Sequence, residues 1–272
     1  MSALDFSAPA HARQSLTSLI GVILVALVAA LSLLGPLIVA GDPFAQSLSK
    51  ALAGPEAGAP LGYDHLGRSV FHRLANALRL SPVIALAAVI TAGTAGLVLG
   101  TLSATKGGWI DKVLVMLADA LLALPGLLLI LIVLAMVPGT AFGFWAGLSL
   151  VLWVEFFRLT RAATRETLAS PAVQASRLLG FGPAYIFRVH IWPEIAPMML
   201  TAAAFGTATA IMAIAALGFV HVGMRAPTPE LGLMMVELLP YWREAPLALL
   251  SPVIATFALL LGLTLLAGSR ET

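Results

Sequence analysis

The residues here that could do chemistry are few, and the ionisable ones interrupting long apolar runs matter most. Asp119, Glu155 and Arg158 fall inside or at the ends of such runs. An ionisable side chain at membrane depth is a functional candidate by default, since the bilayer centre charges about 2.5–3.5 kcal/mol for it. Asp119 stands seven residues beyond Lys112, roughly 10 Å along a helix. It is therefore expected short of the centre, either bonded to a neighbouring helix or facing a pathway. Glu155 and Arg158 are spaced to pair on one helix face. Pro125 removes a helix hydrogen bond in mid-run and is expected to kink it, with a gating role open. His221 follows another apolar run. A neutral imidazole ligates nickel, zinc or copper, and its protonated form binds carboxylates. The plainer reading is an interfacial histidine bonded to backbone or water. His65 and His72 are the histidines that could join it.

Other chemistries are excluded. There are no cysteines, hence no disulfides, thiolate metal sites or cysteine nucleophiles. The only lysines are Lys50, Lys106 and Lys112, and none sits in a G-x-x-x-x-G-K-[ST] phosphate loop. No H-E-x-x-H occurs, and Gly147-Leu148-Ser149-Leu150-Val151 fails the G-x-S-x-G elbow at its last position. No metal site is assigned and no cofactor is expected in this chain.

The elements that must carry these residues follow from composition. The chain has 272 residues, 60% hydrophobic and 10% charged. A soluble domain carries about 25% charged residues, so a bilayer must solvate part of this surface. The formal net charge is only +2, and the basic residues are scattered, so nucleic acid is not a partner. An all-α membrane domain over residues 16–268 is expected, with six spans near 16–40, 82–104, 113–137, 141–157, 198–220 and 247–267. Residues 1–15 and 269–272 read as short tails. The first run is too long for a signal-peptide core and lacks a clean cleavage site, so it reads as an uncleaved anchor.

Lys and Arg in the loops set the orientation. With the N terminus inside, nine fall on the cytoplasmic side and six outside, and five of the nine follow span 4. N-in and C-in is the expectation. No internal repeat marks the inverted halves of many secondary transporters.

The segment after span 4 is the most informative. Ser170-Pro171 reads as a cap followed by a proline at the first helical position. Gly180 is placed to stop the helix in a left-handed conformation. Gly182-Pro183 starts a second segment, expected to be interrupted by Pro193 and Pro197. A first helix this short is not stable alone. It is either an amphipathic helix on the membrane surface or a docking element for a cytoplasmic partner.

Gln174-Ala175-Ser176-Arg177-Leu178-Leu179-Gly180, followed by His190-Ile191-Trp192-Pro193, resembles the signature loop of binding-protein-dependent ABC importer permeases. That pattern reads Glu-Ala-Ala, three residues, Gly, nine residues, Ile-x-Leu-Pro. The spacing from Gly180 to Pro193 matches, while Gln174, Ser176, His190 and Trp192 replace the Glu, second Ala, Ile and Leu. Leu61-Gly62-Tyr63-Asp64-His65-Leu66-Gly67-Arg68 is similar to a segment of the dipeptide, oligopeptide and nickel permeases. So are Gly107-Gly108-Trp109-Ile110-Asp111, Asp119 with Ala123-Leu124-Pro125, and Ala226-Pro227-Thr228-Pro229-Glu230-Leu231-Gly232. The family usually has Gly where this chain has His221.

The resemblance implies a permease in the bacterial plasma membrane, paired with a homologous second permease. It also implies one or two cytoplasmic ATPase subunits, which bind ATP and Mg, and an extracytoplasmic substrate-binding protein. Gln174, Ala175, Ser176, Arg177, Leu178 and Gly180 would then form the coupling helix. The cargo would be peptides, nickel or a metal chelate. An ion-coupled secondary transporter and a membrane-embedded enzyme are the alternatives, separated by whether an ATPase co-purifies.

Overall fold

The computed structural model describes residues 10–39 and 41–268. Ala40, the expected end of span 1, and residues 269–272 lie outside them, as do the first nine. Among the described residues every named element is a helix. Five are long and apolar enough to cross a membrane, and a sixth crossing results if one bent pair counts as a single span.

Helix α1 (Ala10–Ile38) starts within the stretch expected as a tail. Helix α2 (Val70–Lys106) begins twelve residues before the expected Pro82, which sits inside it. Prolines are tolerated within membrane helices because neighbouring groups take up the freed carbonyl. Span 3 divides into α3 (Gly108–Leu122) and α4 (Gly126–Met136), set at 87° to each other. Pro125 occupies the N-cap of α4 in an extended conformation, so the expected kink is a full break.

Helix α5 (Ala141–Ala169) runs three turns beyond the expected end at Phe157. No glycine or proline intervenes until Ser170-Pro171, where the residue before proline turns extended. Arg158, Arg161 and Arg165 therefore ride on α5 and not in a loop. Two short helices follow, α6 (Pro171–Leu178) and α7 (Pro183–Ile186). A π-helical turn at Phe187–Ile191 joins α7 to α8 (Trp192–Phe219). The expected interruption at Pro193 and Pro197 does not occur. The wider turn shifts to i→i+5 bonding just ahead of Pro193, which then falls in the first turn of α8, where its missing N–H is no loss. Helices α9 (Leu231–Leu238) and α10 (Pro246–Gly268) complete the chain, α10 within one residue of the expected sixth span.

The most extensive contact is between α2 and α5, and small residues create it. A Cβ added at Gly96 would stand 2.4 Å from Phe156 Cβ, and one at Gly100 2.8 Å from the Phe157 carbonyl oxygen. Water gives no hydrophobic drive between helices in lipid, so such close backbone approach carries the association. Around it, Ala92, Phe144, Leu148, Phe156, Ile211 and Ile214 form the buried core.

Candidate coupling surface and polar face

Helix α6 is built as its residues dictate. Ser170 Oγ accepts from the Val173 N–H at 3.4 Å, and Pro171 opens the first turn. At the other end Gly180 takes φ +83°. Its N–H donates to the Arg177 carbonyl at 3.0 Å and that of Phe181 to Ser176 at 3.1 Å, closing the helix as a left-handed cap does. Two side chains fasten it to the body. Val173 is wholly buried among Ala163, Ile186, Ile191 and Ile195. Ser176, nearly buried, shares a 2.9 Å hydrogen bond with His190 Nε2.

The opposite face is bare. Gln174, Ala175, Arg177 and Gly180 are exposed, and Leu178 and Leu179 are 90% and 76% exposed. Five of the six residues expected to couple thus share the outer face, while Ser176 points inward. Gln174 Nε2 donates to the Ala169 carbonyl at 3.2 Å, so the residue replacing the usual Glu is held against the end of α5. Leu178 and Leu179 thus form a small uncovered apolar patch at the tip of α6.

A second surface lies within the membrane-spanning part. Arg158 Nη2 on α5 donates to Asp119 Oδ1 on α3 at 2.5 Å, with both side chains about half exposed. Asp119 is thus bonded to a neighbouring helix, as one of its two readings held. The expected pairing of Glu155 with Arg158 is not formed. Arg158 reaches across to α3, and Glu155 stays exposed without a partner among the described residues. An exposed ion pair between α3 and α5, with Glu155 one turn from it on α5, cannot be left against hydrocarbon cheaply. One turn onward, Asp111 binds Arg161 at 2.6 Å and Arg165 at 2.6 Å.

The three histidines of interest are not brought together. His72 is buried, with Nδ1 near Ser69 Oγ at 2.8 Å and Nε2 near the Val39 carbonyl at 2.7 Å. His65 stacks on Tyr241 with ring centroids 5.4 Å apart. His221 is exposed at the end of α8 with φ +58°, its N–H bonded to the Gly218 carbonyl. Among the described residues no group of three or more His, Cys, Asp or Glu could hold a metal.

Sequence reasoning missed a buried network. Asp64 accepts from Arg68 Nε at 2.6 Å and Arg73 Nη1 at 2.5 Å, and Glu237 accepts from the same two guanidiniums at 3.1 and 2.7 Å. Two cations meet two carboxylates, so the set is neutral, and it ties the segment before α2 to α9. Burial alone would raise the Asp64 carboxyl. The N–H and guanidinium of Arg68, with the charge of Arg73, outweigh burial and hold it below the usual range. Asp64 and Arg68 stand one turn apart in sequence, which is a signal. Glu237 is 164 residues from Arg73, and nothing local announces it. A second missed acid is Glu230, fully buried at the N-cap of α9, where Oε1 and Oε2 accept from the N–H groups of Gly232 and Leu233 at 2.9 Å each. Burial pushes its carboxyl up, and the N–H groups of Gly232, Leu233 and Leu231 only partly oppose that.

Residues 96–269 match the family described as binding-protein-dependent transport system inner membrane component. The chain is 30% identical over 266 residues to the dipeptide transport system permease protein of Haemophilus influenzae, covering 95% of this chain and 90% of that one. It is 29% identical to the nickel transport system permease protein of Escherichia coli K12, over 88% and 86% of the two chains. The oligopeptide transport system permease protein of Bacillus subtilis is 26% identical, over 88% and 79%.

Proposed function

The chain belongs to the family of binding-protein-dependent transport system inner membrane components, and from that premise we propose how it works. It is the permease of an ABC importer, not itself an enzyme. It forms half of a translocation pathway with a homologous second permease, and α6 is the coupling helix that docks on a cytoplasmic ATPase. The cargo, delivered by an extracytoplasmic binding protein, is a peptide, nickel or a metal chelate; dipeptide, nickel and oligopeptide are the cargoes named for its relatives.

The observation that carries this reading is the construction of α6. It is capped at both ends and pinned from one side by Val173 and Ser176, yet it offers Leu178 and Leu179 almost wholly uncovered. A helix of eight residues held this firmly can transmit a displacement, and its bare tip has the small, apolar shape that a cleft receives. The polar face of Asp119, Glu155 and Arg158 supports the other half of the proposal. It needs water or a second permease opposite it, and a shared pathway supplies both.

The experiment is reconstitution of the complex with its ATPase and binding protein, followed by substrate-stimulated ATP hydrolysis and uptake. Co-purification of the ATPase and uptake that requires ATP are the expected results. Uptake by this chain alone, driven by an ion gradient, would overturn the proposal.

A further inference from the structure

Three arginines on α5 stand beside three acids, and they are shared unevenly. Arg158, Arg161 and Arg165 follow at spacings of three and four, so they form a ridge along one helix face. Asp111 of α3 takes two of them, Arg161 and Arg165, at 2.6 Å each. Asp119 takes Arg158 at 2.5 Å. Glu155, three residues before Arg158 on α5, is exposed and takes none among the described residues. One step of α3 along the ridge, toward α6, evens the match. Asp119 then passes to Arg161, Asp111 keeps Arg165, and Arg158 is released to Glu155, which lies within reach on its own helix.

The structure leaves room for that step. A cavity of about 260 Å³ lies between α3 and α5, lined by Asp119, Arg158 and Arg161. The charge of Asp119 already acts on Arg161 as well as on Arg158.

Helix α3 is also mounted as a movable part. Of its 15 residues only Ala118 is buried, so little apolar packing within the chain opposes a slide. Before it, Gly107 and Gly108 take φ +61° and +60°, and a Cβ at either would meet nothing within 4 Å. After it comes the break at Ala123, Leu124 and Pro125, beyond which α4 is fixed separately on α5. A Cβ at Gly147 of α5 would stand only 3.2 Å from Ile130 of α4. From Arg158 to Arg161 is roughly 4.5 Å along α5. Straightening Ala123 and Leu124 out of their turn yields roughly 3.5 Å of this, and the long guanidinium side chains cover the remainder.

We propose that α3 is a sliding element with two registers on α5, the one seen here and one a step nearer α6. Between them Asp119 exchanges Arg158 for Arg161, and Glu155 takes up Arg158. Both carboxylates of α3 stay paired in each register, so no bare charge is left at membrane depth. Packed elements change register in discrete steps of this kind. Asp119 and Arg158 are each about half exposed, and ion pairs so exposed are weak enough to exchange. The two registers belong to this chain alone; that ATP drives the exchange rests on the proposed function.

The test is double electron–electron resonance on the intact transport complex in nanodiscs, where the lack of native cysteines gives no background. Met116→Cys labels α3 between its two acids, and Val83→Cys labels α2; both positions are exposed. Helix α2 is locked to α5 at Gly96 and Gly100, and a step toward α6 carries Met116 away from Val83. Two distances differing by roughly 4 Å are expected, in proportions that change when ATP binds. Arg158→Gln strips Asp119 of its present partner and should raise the share of the longer distance about two- to fivefold. Glu155→Gln removes the acid that receives Arg158 in the second register and should lower that share by a similar factor. Arg161→Gln, which leaves Asp119 no second partner, should lower it too. Val83→Cys paired with Ala162→Cys on α5 should give one distance throughout. A single unchanging distance between α3 and α2, or the same direction of change in Arg158→Gln and Glu155→Gln, would overturn the two registers. Opposite responses of those variants with no response to ATP would uphold the registers and count against an ATPase as their driver.

Discussion

Ser176 Oγ and His190 Nε2 stand 2.9 Å apart, and both residues depart from the signature pattern that the surrounding loop resembles. The usual Ala and Ile are apolar. Here the two positions, 14 residues apart, have become a polar pair that pins α6 to the turn before α8. The two side chains satisfy each other, and Ser176, nearly buried, would otherwise lose its hydrogen-bond partner. A double-substitution cycle tests the pairing. Ser176→Ala and His190→Ile should each destabilise the purified chain by about 1–2 kcal/mol in thermal or denaturant unfolding, and the double variant should recover most of that loss. Additive losses would show that the two residues do not act as a pair.

Coupling can be separated from insertion at Ala175 and Gly180. Ala175 is exposed, and a Cβ at Gly180 meets nothing within 4 Å, so the chain alone has room at both. Ala175→Arg should leave the level of membrane-inserted protein unchanged and abolish ATPase binding or coupled uptake, because a charge is then buried at the docking surface without a partner. Gly180→Asp should do the same. It also strains a backbone at φ +83° by about 1 kcal/mol, for which Gly180→Asn, tolerated in that conformation, is the control. Full uptake and ATPase stimulation in both charged variants would remove α6 from the interface.

Much of α6 was legible because its signals are local. A Ser-Pro start and a left-handed glycine stop are decided by a few neighbouring atoms, and both fall where they were expected. Pro125 was legible as a disturbance but not in degree, since the angle between α3 and α4 is set by what each packs on. Helix ends were read less well. The apolar runs mark where lipid is, whereas α2 and α5 continue past it for as long as no Gly or Pro stops them. The rotamer of Arg158 and the partner of Arg73 come from distant parts of the chain, so spacing misassigned the first and gave no hint of the second.

Orientation is tested by cysteine labelling, which the absence of native cysteines makes free of background. Ser170 lies in the segment expected on the cytoplasmic side, but its hydroxyl caps α6. Gln174, exposed on the same helix, is the better site. Gln174→Cys should be protected from an impermeant maleimide added to intact cells, and Ser49→Cys, exposed in the segment before α2, should react. The reverse pattern would invert the topology.

The network of Asp64, Arg68, Arg73 and Glu237 sets an acid limit. The Asp64 carboxyl is held below its unfolded value, near 3.9, so its contribution is complete above that pH. It is lost as pH falls through the lower folded value. Asp64→Asn should destabilise the chain by about 3–5 kcal/mol at neutral pH, because two buried guanidiniums then face one carboxylate. It should also flatten the acid side of a plot of stability against pH. An unchanged acid limb in the variant would take Asp64 out of the network's energetics.

His221 is the residue on which the cargo question can be put to a direct test. It takes φ +58° at the end of α8, a backbone region that suits the glycine usual at this place and disfavours a branched imidazole by about 1 kcal/mol. Its ring is exposed and makes no hydrogen bond within the described residues. With no metal-holding group around it, the ring would meet a metal only with ligands from a second permease, or meet the carboxylates of a chelator carried with the metal. His221→Gly should relax the backbone and raise the unfolding temperature slightly. In reconstituted vesicles it should lower uptake of nickel or a nickel chelate while leaving uptake of a dipeptide as it was. Equal uptake of metal, chelate and peptide by the variant and the parent would leave His221 as a helix-end residue with no part in transport.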